Sequence, residues 1–269
     1  MRTLIPGKVM QRLSPGFLML SLIALWSAVV SPSLARADGG SACDIPADLT
    51  TPSDALPAVK AALAAKRGLD VLAVGSGSTV GDAGASGGPA LTFRSPEGAF
   101  PRKMVEALAS MRPALQVRLT VKGGRSMMAE TMLPILQQEL ASHQYDLVLW
   151  QTGTVEAVHG IRPDALRAVL QEGVDAAEKA HADLVLIDPQ FSRFLRANAD
   201  LSPYETVMQQ ITAGSEARLF HRFDLTQTWA GSGQIDVERV SREQRDKTIM
   251  LLNTCLGQAL ARFILTGAG

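Results

Sequence analysis

Leu69-Asp70-Val71-Leu72-Ala73-Val74-Gly75-Ser76-Gly77-Ser78-Thr79-Val80-Gly81 is the stretch on which the fold turns. Its first six residues form a short, nearly unbroken apolar run, which reads as a strand buried on both faces. The run stops in a glycine- and serine-rich turn, and small-residue sequence continues to Ala90. A loop leaving the carboxyl end of such a strand is where open α/β sheets bind ligands.

The pattern repeats outward. Residues 115–121 alternate as a second strand that runs into Lys122-Gly123-Gly124. Asp146-Leu147-Val148-Leu149-Trp150-Gln151 reads as a third strand and Asp183-Leu184-Val185-Leu186-Ile187 as a fourth, stopped by Asp188-Pro189-Gln190. A short fifth strand is expected within 217–223. Helices are expected over 54–66, 100–111, 126–143, 162–182, 204–215 and 249–265. Pro134 falls near a bend or start of its helix. Residues 38–53 read as an ordered arm. Strands separated by single helices predict βαβ units, hence a three-layer α/β sandwich around a mostly parallel five-stranded sheet.

The amino terminus is of another kind. Arg2, Lys8 and Arg12 precede an apolar run over 17–30, followed by Pro32 and the small-residue exit Ala35-Arg36-Ala37. This is the layout of an export signal cleaved before Asp38. The run is shorter than the roughly 20 residues a membrane-spanning helix needs. The expected organisation is a signal peptide over 1–37 and one domain over 38–269, working in the periplasm or secreted, with no transmembrane anchor after cleavage. Cys43 lies too far beyond the apolar run to be a lipidation site. The chain holds 26 basic and 26 acidic residues; the leader takes four basic ones with it, leaving a net charge of −4. With no basic stripe, no nucleic-acid partner is expected. Cys43 and Cys255 most simply pair in an exported protein, the other reading being two buried free thiols. Two cysteines without a histidine cluster make no metal site, and no cofactor is expected.

The loop sequences go further. Gly75-Ser76-Gly77-Ser78-Thr79-Val80-Gly81 resembles the nucleophile block of the SGNH, or GDSL-like, hydrolases. Lys122-Gly123-Gly124 resembles their glycine block, and Trp150-Gln151-Thr152-Gly153-Thr154-Val155-Glu156-Ala157 their Gly-Thr-Asn-Asp block. Leu186-Ile187-Asp188-Pro189-Gln190-Phe191 and the late Cys255-Leu256 resemble an exported bacterial branch. The resemblance spans about residues 43–265 and implies the SGNH-hydrolase, flavodoxin-like sandwich. It also implies ester hydrolysis by a serine, a histidine held by an aspartate, and an oxyanion site of serine N–H, glycine N–H and asparagine.

The reactive positions are mostly not kept. The nucleophile position falls on Gly77, flanked by Ser76 and Ser78. The asparagine position is Val155, beside Glu156. Only Gly123 survives. The last block should be Asp-x-x-His shortly before the final helix; counting back from Cys255 puts Gln244 and Lys247 there. No histidine follows His221. His143 and His181 read as solvated or capping, His159 as exposed or cleft-facing, and His221 as packing within the fifth strand. Met127, Met128 and Met132 fit a core-facing helix stripe. Two other chemistries could use the cleft: Ser76 or Ser78 with a buried, depressed-pKa Lys247, or Glu156 and Asp188 as paired carboxylates. Asp188 before proline can equally cap a turn.

The expectation is therefore a catalytically impaired SGNH-fold protein that binds an acylated carbohydrate, a lipid or an envelope protein. Its cleft would be lined by Ser76, Ser78, Gly123, Thr154, Glu156 and Asp188. The alternative is an active serine ester hydrolase using Ser76 or Ser78.

Overall fold

The computed structural model describes residues 43–84 and 92–269. The expected leader over 1–37, the first residues of the expected arm (38–42) and part of the small-residue stretch (85–91) lie outside the described residues. In chain order the elements are α1 (Pro57–Ala65), β1 (Leu69–Gly75), α2 (Gly77–Val80), β2 (Asp82–Gly84), β3 (Thr92–Arg94), α3 (Phe100–Met111), β4 (Val117–Gly123), α4 (Ala129–Ser142) and β5 (Leu147–Gln151). There follow α5 (Thr154–His159), α6 (Pro163–Lys179), β6 (Asp183–Ile187), α7 (Arg193–Asn198), α8 (Ser202–Ala213), β7 (Arg218–Phe220), α9 (Arg222–Ser232) and α10 (Arg242–Gly267).

Five strands pair in the order β4-β1-β5-β6-β7, every pairing parallel. The predicted sandwich is the one found. β2 and β3, which the sequence pattern does not announce, form a separate antiparallel pair. Side-chain alternation sorts the strands into two cores. Leu69, Val71, Ala73, Leu149, Ile187 and Phe220 face α1, α3, α9 and α10 through Val59, Met104, Trp229 and Phe263. Leu72, Val74, Val148, Trp150 and Leu186 face α4, α6 and α8 through Met132, Leu170 and Met208. Helices on both faces explain why β1, β5 and β6 are apolar at successive positions. Edge strand β4 is only half-buried and alternates. Trp150 lies so close to α6 that a Cβ on Gly173 would come 2.1 Å from its ring, which accounts for a glycine inside that helix.

Three expectations need correction. The fifth strand is only Arg218–Phe220, and the chain enters α9 directly, so His221 stands at the helix start and not within a strand. Pro134 lies inside α4. The closing helix begins at Arg242, seven residues before the expected start at 249. Residues 242–248 contain no glycine or proline, so nothing halts helix growth upstream. α10 is apolar and long enough to cross a bilayer by composition, but it is the core helix against α3, with Leu256, Leu260 and Phe263 in the first core.

Cys43 and Cys255 are joined, at S–S 2.03 Å, with both residues buried. The bridge ties the arm to α10. Trp229 Nε1 donates to Asp44 O at 2.5 Å and pins the same arm from α9.

Candidate functional site

In strand order, β1 has β4 on one side and β5 on the other, so successive crossovers diverge there. The crevice between the carboxyl ends of β1 and β5 is the topological switch point of the sheet. β1 ends at Gly75, in register with Gly123 of β4. Gly123 has φ +132°, and a Cβ there would sit 1.8 Å from Gly75 O. Only glycine permits this approach, which also lets Gly124 N–H donate to Gly75 O at 3.3 Å. Beyond Gly75 the chain turns through Ser76 into the single turn of α2, with Ser76 O accepting from Thr79 N and Val80 N.

Four donors from this turn converge on one atom, Gln151 Oε1 at the end of β5. They are Ser76 N (3.2 Å), Ser76 Oγ (3.0 Å), Thr79 Oγ1 (3.2 Å) and Ser78 Oγ (3.4 Å). Gln151 and Ser76 are buried, and Ser78 is half-buried. In sequence Gln151 closes the third strand and stands within the stretch that resembles the Gly-Thr-Asn-Asp block, without a role of its own. Its one local signal is a polar side chain closing an apolar run.

The carboxylates named above serve separate helices. Glu156 accepts from Ala129 N at the start of α4 (2.5 Å), from Gly153 N (2.8 Å) and from Thr152 Oγ1 (3.1 Å). Asp188 Oδ1 accepts from Phe223 N at the start of α9 (2.8 Å). Burial pushes the Asp188 carboxyl well above the ordinary carboxylate range; Glu205 and Asp224 add to this and Arg222 opposes it. Arg222 is itself buried, which lowers its guanidinium to about 10. These contacts make Glu156 and Asp188 caps of different helices.

Thr154 and Val155 open α5, both half-buried. Gly77, Gly123 and Val155 thus lie at or just past the ends of the adjacent strands β1, β4 and β5. Gln244 and Lys247 fall inside α10 with exposed side chains. They are not in a loop before it, and an exposed Lys247 lacks the burial that a serine–lysine pair needs. The loop before α10 holds Asp236, whose carboxylate accepts from Arg193 Nη1 at 2.8 Å and from the amides of Glu238 and Arg239. Of the histidines, His143 stands 3.7 Å from Glu139 and His221 3.7 Å from Asp224. His159 and His181 are exposed. Among the described residues no group of three or more His, Cys, Asp or Glu is placed to hold a metal ion.

A cavity of about 450 Å³ lies beside the carboxyl ends of β6 and β7, lined by Arg196, Asp200, Leu201, Glu205 and Phe223 among others. Glu205 Oε1 is buried there without a hydrogen-bond partner, and burial, helped by Asp224, raises its carboxyl.

A parallel sheet in this order, with a serine-bearing turn and a glycine pair at the switch point, defines the chain as an SGNH-hydrolase-type α/β protein. It belongs to the Non-GDSL lipase-like family, whose model matches residues 42–269. Its fold is similar to that of a mutant of Axe2, an acetyl-xylooligosaccharide esterase from Geobacillus stearothermophilus. The TM-score is 0.54 at 17% identity, covering 75% of this chain and 94% of that one. It is also similar to LAE5, an α/β hydrolase from the metagenome of Lake Arreo, Spain, with TM-score 0.53 at 16% identity over 70% and 96% of the two chains. No curated protein sequence matches it.

Proposed function

We propose that the protein is an exported SGNH-fold binding or accessory protein that has lost ester hydrolysis. Its ligand is an acylated carbohydrate, a lipid or a partner in the cell envelope. The observation that carries this reading is the engagement of the Ser76 and Ser78 hydroxyls: their hydrogen bonds run to Gln151, an amide, and not to a base. A serine becomes nucleophilic when a neighbouring group takes its proton, and a neutral amide does not. The positions the resemblance assigns to nucleophile and oxyanion amide, Gly77 and Val155, supply no hydroxyl and no side-chain donor, and no histidine follows His221. A binding role needs none of these, and the cavity beside Glu205 has the size of a small-molecule pocket.

The test uses the mature protein, a series of short-chain aryl and acetyl esters, and a fluorophosphonate probe. The expected result is no turnover above a buffer blank and no covalent label. Labelling that disappears in Ser76→Ala or Ser78→Ala would replace this reading with an active serine esterase.

A further inference from the structure

We propose that Gln151 is the positioning residue that holds the Ser76 and Ser78 hydroxyls out of nucleophilic use. The inference rests on the non-catalytic reading and names the residue responsible for it. The backbone N–H of Ser76 can only donate, so its 3.2 Å contact fixes which end of the Gln151 amide faces the turn: the oxygen. A carbonyl oxygen has two lone pairs, yet four donors reach this one. Ser76 N–H cannot rotate away. Thr79 is 1% exposed, and its hydroxyl lies over Gly75, where a Cβ would come within 2.1 Å of it. The rotatable hydroxyls of Ser76 and Ser78 share this same Gln151 oxygen, at 3.0 and 3.4 Å. Both are oriented by an acceptor that cannot take up their proton.

What Ser76 lacks within hydrogen-bond reach is a proton acceptor, and position 151 is where one would sit. Gln151→Glu is isosteric, keeps an oxygen where all four donors point, and puts a carboxylate 3.0 Å from Ser76 Oγ. With a fluorophosphonate, Ser76 Oγ then attacks phosphorus, the O–P bond forms, the P–F bond breaks and fluoride leaves. The hydroxyl proton passes to the introduced carboxylate. Gln151→Leu releases the hydroxyls but offers no proton acceptor.

The experiment compares phosphonylation of the parent, Gln151→Glu and Gln151→Leu by intact mass and peptide mapping, with folding checked by circular dichroism. Parent and Gln151→Leu should stay unlabelled. Gln151→Glu should label on Ser76 at least tenfold faster than the parent, with a rate that rises with pH along a single carboxyl titration. The label should vanish when Ser76→Ala is added. A folded Gln151→Glu that labels no faster than the parent overturns the inference and leaves the non-catalytic reading standing, as does labelling of Gln151→Leu at the Gln151→Glu rate. Labelling of the parent itself overturns the non-catalytic reading. Should Gln151→Glu not fold, hydroxyl-proton exchange by NMR decides the question. Ser78→Ala leaves the shared oxygen to fewer donors and should slow exchange of the Ser76 hydroxyl proton severalfold, and an unchanged rate overturns the proposal.

Discussion

Glu156→Ala should lower stability by about 2–4 kcal/mol, in a protein whose whole folding free energy is of order 5–15 kcal/mol. The figure follows from what the carboxylate holds. It is 2% exposed and accepts from two backbone amides, Ala129 N and Gly153 N, and from Thr152 Oγ1. Each buried amide left without an acceptor costs about 1–3 kcal/mol. The hydroxyl can rotate, so two amides set the scale at about 2–6 kcal/mol; relief from burying a carboxylate offsets part of this and favours the lower half. Glu156→Gln keeps one oxygen but turns an NH₂ toward the second amide, so it should cost about 1–3 kcal/mol. Urea denaturation with an unchanged m-value measures both. Hydrogen exchange at Ala129 and Gly153 should quicken in the alanine variant. A Glu156→Ala protein within 1 kcal/mol of the parent, or with Ala129 exchange unaltered, would refute the capping role and return Glu156 to the list of groups free for chemistry.

Non-reducing mass spectrometry should find Cys43 and Cys255 joined, and the Cys43→Ser/Cys255→Ser double variant should lose up to about 5 kcal/mol, since the bridge spans 212 residues; two free thiols in protein recovered from an oxidising compartment would contradict it. Asp188 has a folded pKa raised by burial, so its contribution to stability is fully present below the unfolded value near 4 and is lost as pH rises through the folded pKa. Asp188→Asn keeps an acceptor for Phe223 N and removes that loss; urea melts at pH 4 and pH 7 should show the variant gaining on the parent as pH rises, and a pH-independent difference would contradict the assignment. Gly123→Ala should cost at least about 2–3 kcal/mol, because its φ of +132° and the 1.8 Å approach to Gly75 O both exclude a side chain; a thermal melt within a degree or two of the parent would show that the β1–β4 contact can open.

The sheet was legible because its signal is local. Apolar runs such as 147–151 and 183–187 can be buried on two faces only in a covered parallel sheet, and each ends at a polar or turn residue. Of the helices missed by pattern, α9 has its start specified from elsewhere. α9 begins Arg222-Phe223-Asp224 with no local side-chain cap; its Phe223 amide is satisfied by Asp188, just past the end of the neighbouring strand β6. The family blocks were legible by residue type, and the absence of a histidine beyond His221 needed no geometry. The role of Gln151 was not legible, because its partners lie more than seventy residues away in sequence and meet it only where β1 and β5 pair. Gln244 and Lys247 were placed by counting back from Cys255, which cannot reveal where the helix begins.

Three helices share one device. Val59 N in the first turn of α1 donates to Asp183 at 2.9 Å, Ala129 N of α4 to Glu156 and Phe223 N of α9 to Asp188. None of the three helices has a side-chain cap from its own preceding residue. Each instead takes a carboxyl oxygen from an acid elsewhere in the fold, which accepts from an amide the helix itself leaves unsatisfied. Docking and capping are thereby one event, so these helices are completed only when packed on the sheet. None of the three acids is among the positions that the sequence resemblance assigns to attack, proton transfer or the oxyanion amide, namely Gly77, Val155, Gln244 and Lys247. The three capping acids and the positions assigned to the chemistry are therefore different residues. Substitution at the second set leaves the first intact. A chain can thus match its family over 42–269 and still bring Ser76, Gly123 and Gln151 to one crevice, while the hydroxyls there meet an amide in place of a base.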